Sequence, residues 1–255
     1  MCASFSAEAA CSRKMNVPMA TTGLSVMAQG NDITGIYPEM LRNIASKEDC
    51  IFTMSLVPRA RLELLFENGQ ADILIPATHT PKRDEIGTFI PLIHNRATLI
   101  SIQSNRPALK SLQELIAQRN ARVVLVRGYD YGPVYQSLVT ELSRQARLSW
   151  EADPVSVARV LKAGAADYTI MASSIFAGAI QGDARVDDLS EKTRYEALAE
   201  LPWGESGLYL SKKSLSPEDK QVLQDIFERA ANSGIVWKSF QRYYKAEVLK
   251  DGIRP

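Results

Sequence analysis

A chain of 255 residues can form one large or two medium domains, and 45% hydrophobic with 23% charged residues is the balance of a globular protein with a real core. The formal net charge of +1 gives no basic surplus and no charged tail, which sets nucleic-acid binding aside. No apolar run approaches the ~20 residues that a membrane-spanning helix needs.

Residues 1–11 are small, polar and poorly patterned, and Ala7-Glu8-Ala9 has the small-x-small form that ends a secretory signal. They are expected to be the remnant of a trimmed signal peptide or a disordered N-terminus, and the protein to be exported to the periplasm. Of the three cysteines, Cys11 precedes a short apolar run at 15–20 and Cys50 precedes a second at 51–57. If these runs are neighbouring parallel strands, the two sulfurs meet at one end of the sheet at a separation that suits a disulfide; otherwise they are two half-buried thiols. There is no Cys-x-x-Cys, and His79 and His94 stand far apart in sequence, so no metal site and no cofactor are expected.

Residues 21–34, with Gly23, Gly30 and Asn31, predict a loop or hairpin. Met40, Leu41 and Ile44 give helical spacing over 38–47, and Leu62, Leu65 and Phe66 do so in a helix that begins at Pro58 and stops at Gly69. Ile73, Leu74 and Ile75 mark a third strand. This βαβαβ order predicts a largely parallel sheet with helices on its faces. The pattern then restarts: an extended run at 97–102, a helix at 111–119, a strand at 123–126, a helix opening at Pro133, another opening at Asp153-Pro154 and stopping at Gly164, a strand at 168–172, and a short helix at Ser173-Ser174. The chain is extended again near 201–210. Ser216-Pro217-Glu218-Asp219 then caps a helix that Gly234 ends.

Two α/β units joined by two extended crossings imply that the second is inserted in the first. The ligand site is then expected in the cleft between the lobes.

The residues with most chemistry follow the third strand, where open α/β sheets place ligands. In Ala77-Thr78-His79-Thr80-Pro81-Lys82-Arg83, Thr80 is a good N-cap and Pro81 suits the first helical position. The N–H groups of that turn and the planar, bidentate Arg83 predict an anion clamp, with hydroxyls from Thr78 and Thr80. Arg61, near the start of the preceding helix, extends the same rim.

Taken together, Gly35-Ile36-Tyr37, Gly69 with Asp72, Thr80 with Arg83, and Phe89 with Pro91 resemble, in order and spacing, the family 3 extracellular solute-binding proteins of polar amino acid ABC importers. The resemblance covers about residues 12–245. It implies a two-lobed type II periplasmic-binding fold, with lobe 1 at 12–100 and 204–255, lobe 2 at 101–203, and a two-strand hinge. It implies a monomeric, non-enzymatic protein that takes a small carboxylate on Arg83, assisted by Thr78 and Thr80, and delivers it to a membrane permease.

On lobe 2, Arg127-Gly128-Tyr129-Asp130-Tyr131-Gly132 matches the family's glycine loop. Ser173 falls at the end of the strand at 168–172, Trp203 is placed near the cleft, and Tyr209 in the hinge. One departure matters. The aspartate that receives an amino acid's ammonium group in this family falls here at Ala172. An ammonium left without a carboxylate in a closed site costs several kcal/mol. Either Glu205 or Asp130 substitutes, or the ligand has no α-ammonium. Two other functions share the fold by resemblance: a dehydratase of prephenate-like substrates, with Glu205 or His79 as the acid, and the sensory module of a membrane kinase.

Overall fold

The computed structural model describes residues 11–103 and 105–255, so the expectations for residues 1–10 lie outside the described residues. The chain opens with β1 (Met15–Met19), the hairpin β2 (Met27–Gln29) and β3 (Asp32–Thr34), α1 (Ile36–Glu48), β4 (Phe52–Leu56), α2 (Arg59–Glu67), β5 (Ile73–Thr78) and the single turn α3 (Pro81–Asp84). It continues through β6 (Gly87–Asn95), β7 (Ala97–Ile102), α4 (Leu112–Ala117), β8 (Val123–Val126), α5 (Pro133–Arg144), β9 (Leu148–Glu151), α6 (Pro154–Lys162), β10 (Thr169–Ala172) and α7 (Ser173–Gln181). A 3-10 turn (Asp187–Glu191) leads to β11 (Thr193–Glu196), β12 (Gly204–Ser211), α8 (Pro217–Asn232), α9 (Ile235–Tyr243), α10 (Ala246–Lys250) and β13 (Ile253–Arg254). No helix among the described residues is long and apolar enough to cross a membrane.

The chain divides into two compact units. Unit 1 holds residues 11–21, 25–92 and 205–239; unit 2 holds 22–24, 93–204 and 240–255. The sequence placed 204–255 in the first lobe, but the last sixteen residues group with unit 2. The cause is local. The Tyr244 hydroxyl accepts from Leu24 N–H at 3.2 Å, Ser173 Oγ donates to the Val248 carbonyl at 2.6 Å, and β13 pairs antiparallel with the end of β6.

In unit 1, β1 pairs parallel with β4. Cys11 and Cys50, just before these two strands, form the expected disulfide, with Cα atoms 5.1 Å apart. β12 pairs antiparallel with β5, and its register shifts at Gly207, where any Cβ would run into the Ile90 carbonyl. Leu62 and Phe66 of α2 pack with Leu74, Ala77 and Tyr209 into one apolar cluster. Tyr209, expected in the hinge, is fully buried in that cluster.

In unit 2, the alternation along β8 divides the core between two faces. Val123 and Leu125 meet Tyr135, Leu138 and Leu142 of α5 on one side. Val124 and Val126 meet Val157 and Leu161 of α6 with Phe176 and Ile180 of α7 on the other. Each of these buried aliphatic and aromatic side chains contributes about 1.5–3 kcal/mol of transfer free energy, which is why a four-residue strand can anchor three helices. β8 pairs parallel with β9, and β7 lies between β10 and β11, antiparallel to both.

Candidate functional site

Two groups of side chains stand out, one in each unit. In unit 1 the group sits at the C-terminal end of β5. Thr80 caps α3 with its hydroxyl accepting from Arg83 N–H at 3.4 Å, and Pro81 takes the first helical position, as the motif predicts. The helix is only four residues long, however. Its amides are also engaged: Thr80 N–H donates to the Tyr209 hydroxyl at 3.0 Å, and Asp84 N–H donates to the Thr80 carbonyl at 3.1 Å. What the motif offers at this point is therefore side chains rather than a helix terminus.

Arg83 is held on two sides. Its Nε and Nη2 donate to Glu63 at 3.3 and 2.8 Å, and its Nη1 donates to the Thr78 carbonyl at 2.7 Å. Three of the five guanidinium N–H groups are used, and the side chain keeps 20% of its surface exposed. Thr78 takes part through its carbonyl. Arg59, not Arg61, is the second arginine here: it donates to Glu63 at 2.6 Å and to the Pro76 carbonyl at 3.2 Å. Arg61 is exposed on α2 and makes no hydrogen bond or ion pair among the described residues.

Beside this cluster, His79 lies between two carboxylates. Its Nδ1 is 2.9 Å from Glu205 and its Nε2 is 3.0 Å from Asp84, and the ring stacks on Phe89 at a centroid distance of 4.5 Å. Asp84 also accepts from the Tyr209 hydroxyl at 2.9 Å. Glu205 is thus brought to the rim of unit 1, with its carboxylate engaged by the histidine. The sequence pointed to Thr80, Arg83 and Glu205. It missed Arg59, Glu63 and Asp84, whose only signal is the i, i+4 spacing of Arg59 and Glu63 on a helix.

In unit 2 the loop 127–132 follows β8, and Ala172 ends β10. A parallel bridge between Val123 and Tyr168 sets these strands side by side, so both lie at one end of the sheet. Gly128 has φ +84°, and a Cβ there would meet nothing within 4 Å. Tyr129, Tyr131 and Tyr135 form an edge-to-face series with centroids 6.3 and 5.2 Å apart. The Tyr131 hydroxyl accepts from Ala172 N–H at 3.4 Å. Burial raises the pKa of all three phenols, and pushes Tyr135 up to about 12, so they stay protonated at neutral pH.

Asp130, one candidate for the missing acid, is committed to its own loop, accepting from Gly132 N–H at 2.9 Å and Gln136 Nε2 at 2.7 Å. Arg127 is exposed, and its backbone N–H donates to the Glu151 carbonyl. Ser173, expected at the ligand, is fully buried as the first residue of α7 and bonded to the Val248 carbonyl. Trp203 lies elsewhere in unit 2, with the Arg96 and Arg254 guanidinium groups 4.7 and 4.3 Å from its ring.

No family model matches the chain, and a search of curated proteins finds no match. Solved structures do match. A probable amino-acid ABC transporter extracellular-binding protein, ytmK of Bacillus subtilis, is 14% identical over 91% of this chain and 99% of that one, with a TM-score of 0.66. A histidine kinase sensor domain with similarity to periplasmic binding proteins is 16% identical over 91% and 96%, with a TM-score of 0.64. The ancestral amino acid-binding protein AncCDT-1, a precursor of cyclohexadienyl dehydratase, is 15% identical over 90% and 95%, with a TM-score of 0.65. At such identities the likeness establishes the fold: the chain has the two-lobed type II periplasmic-binding fold that its motifs predict.

Proposed function

We propose that the protein is a periplasmic solute-binding protein of an ABC-type importer, which captures a small carboxylate-bearing ligand by lobe closure and presents it to a membrane permease. The observation that carries this reading is the state of Arg83. It sits at the C-terminal end of a sheet strand, partly exposed, fixed by Glu63 and the Thr78 carbonyl, with two N–H donors left over. A planar cation fixed in this way meets a carboxylate at little entropic cost. Thr80 and Arg83 take the negative end, and Gly128, Tyr129 and Tyr131 supply amide and phenol contacts from the second unit. With Ala172 where an acid receives ammonium in the resembling family, and with Asp130 and Glu205 both engaged, the ligand is a carboxylate without an α-ammonium group.

One observation favours a second reading. His79 and Glu205, the two acids named for a dehydratase of prephenate-like substrates, lie 2.9 Å apart, with Asp84 at the other ring nitrogen and Phe89 stacked on the ring. A thermal-shift panel of amino acids, hydroxy and keto acids, dicarboxylates, prephenate and arogenate addresses both. A ligand at 100 times its dissociation constant stabilises the fold by about 2.7 kcal/mol. We expect a carboxylate without an ammonium group to give the largest shift, Arg83→Ala to abolish it, and no aromatic product to form. A hit that survives Arg83→Ala contradicts the clamp, and aromatic product from prephenate or arogenate establishes the enzyme.

A further inference from the structure

Glu63 is a carboxylate inside a site that is read as carboxylate-binding. Its two oxygens receive three hydrogen bonds, one from Arg59 at 2.6 Å and two from Arg83 at 2.8 and 3.3 Å. The three side chains form one connected cluster at the end of β5, anchored to the backbone through the Pro76 and Thr78 carbonyls. Two arginines and one glutamate sum to a single positive charge. Of the further cations near these residues in the chain, Arg61 is exposed on α2 and bonds to none of the three, and Lys82 is 81% exposed and paired with Glu67. The neighbouring carboxylates Asp84 and Glu205 share His79 and do not bond to either arginine.

We infer that Glu63 is the residue that sets which anions the site accepts. By cancelling one of the two arginine charges it leaves the cluster matched to a monoanion and penalises a dianion. This rests on the proposal that Arg83 binds the ligand carboxylate. Two effects act together. A like charge a few ångströms from the incoming carboxylate repels it, and repels a second carboxylate on the same ligand further. The same glutamate also fixes the plane of Arg83, so it positions as well as repels. Glutamine in its place keeps the shape and one acceptor for Arg83 while removing the charge, which separates the two effects.

The test uses two probes that differ by one charge at nearly constant shape, succinamate and succinate, each titrated calorimetrically to high concentration into the whole protein. The wild type binds succinamate at least as well as succinate. Glu63→Gln, checked for an unchanged far-ultraviolet spectrum, binds succinamate roughly fivefold tighter and succinate more than tenfold tighter, moving the ratio at least about twofold toward succinate. Arg59→Met, which removes the opposite charge, moves the ratio the other way. Arg83→Ala loses both probes.

If Glu63→Gln and Arg59→Met both leave the ratio unchanged while Arg83→Ala abolishes binding, the role given to Glu63 is wrong and the clamp stands. If Arg83→Ala binds both probes normally, the clamp itself is wrong. If neither probe binds the wild type or Glu63→Gln at high concentration, the role of Glu63 is again contradicted, because a site governed by charge must admit small carboxylates.

Discussion

The Asp72 carboxylate has only 3% of its side-chain surface exposed, yet it is ionised and answered from several sides. Arg13 reaches it with two N–H groups at 2.7 and 2.8 Å, and Asn16 N–H donates to it at 2.7 Å. Burial pushes its pKa up, but hydrogen bonds from Arg13 and the Asn16 backbone, with the charge of Arg13, outweigh that and hold it below the ordinary carboxylate value. A carboxylate depressed in the folded state stabilises fully above its unfolded pKa of about 4, and that contribution fades as pH falls through the lower folded value. Asp72→Asn should cost on the order of 1–3 kcal/mol at neutral pH, discounted because Arg13 is half exposed, and should flatten the loss of stability below about pH 4. Urea denaturation of the two proteins from pH 3 to pH 7 measures both; parallel curves contradict the assignment. In sequence, Asp72 is legible only as part of a Gly-x-x-Asp turn. Its partner Arg13 lies 59 positions away, and no local pattern announces it. The same holds for Glu63 and Arg83, 20 positions apart on different elements.

Elements with strong local chemistry are legible from their residues alone. Asp153 and Ser216 each cap the helix they were expected to cap, Ser111 caps the helix it was expected to begin, and Gly69, Gly164 and Gly234 carry the positive φ of a chain leaving a helix. Elements held by tertiary contact are not. β9 is the sequence Leu-Ser-Trp-Glu with no fully buried position, and it exists because β8 pairs with it. β11 is likewise defined by its register with β7. α9 begins directly after Gly234, so the stop signal hides the helix that follows. The disulfide belongs to this scale, because it ties the start of β1 to the start of β4 across a separation of 39 residues. A loop of that length corresponds to about 4 kcal/mol of unfolded-state entropy. Denaturation midpoints with and without reductant, and of the Cys11→Ser, Cys50→Ser double variant, should fall by a matching amount. Equal stability in all three would mean that the bridge does not constrain the unfolded chain.

For the whole molecule, the alternation of strand and helix signals and their restart near residue 97 anticipates the two units and the type II periplasmic-binding fold. The grouping of 240–255 with unit 2 was not legible, since it depends on Tyr244 reaching Leu24 and on β13 joining β6, contacts that span the length of the chain. In sequence, the absence of an acid at Ala172 was the one signal at the end of β10. The structure adds that a phenol occupies the backbone donor there. The proposed function places a small carboxylate on the strand-end loops at 78–84 and 127–132. Hydrogen–deuterium exchange of the wild type with and without the best ligand of the thermal-shift panel tests it most directly. The account predicts slowed exchange in two segments, 78–84 and 127–132. Protection confined instead to the cavity of about 250 Å³ in unit 2 lined by Arg106, Lys162, Asp167 and Tyr168, with both segments unchanged, would contradict it.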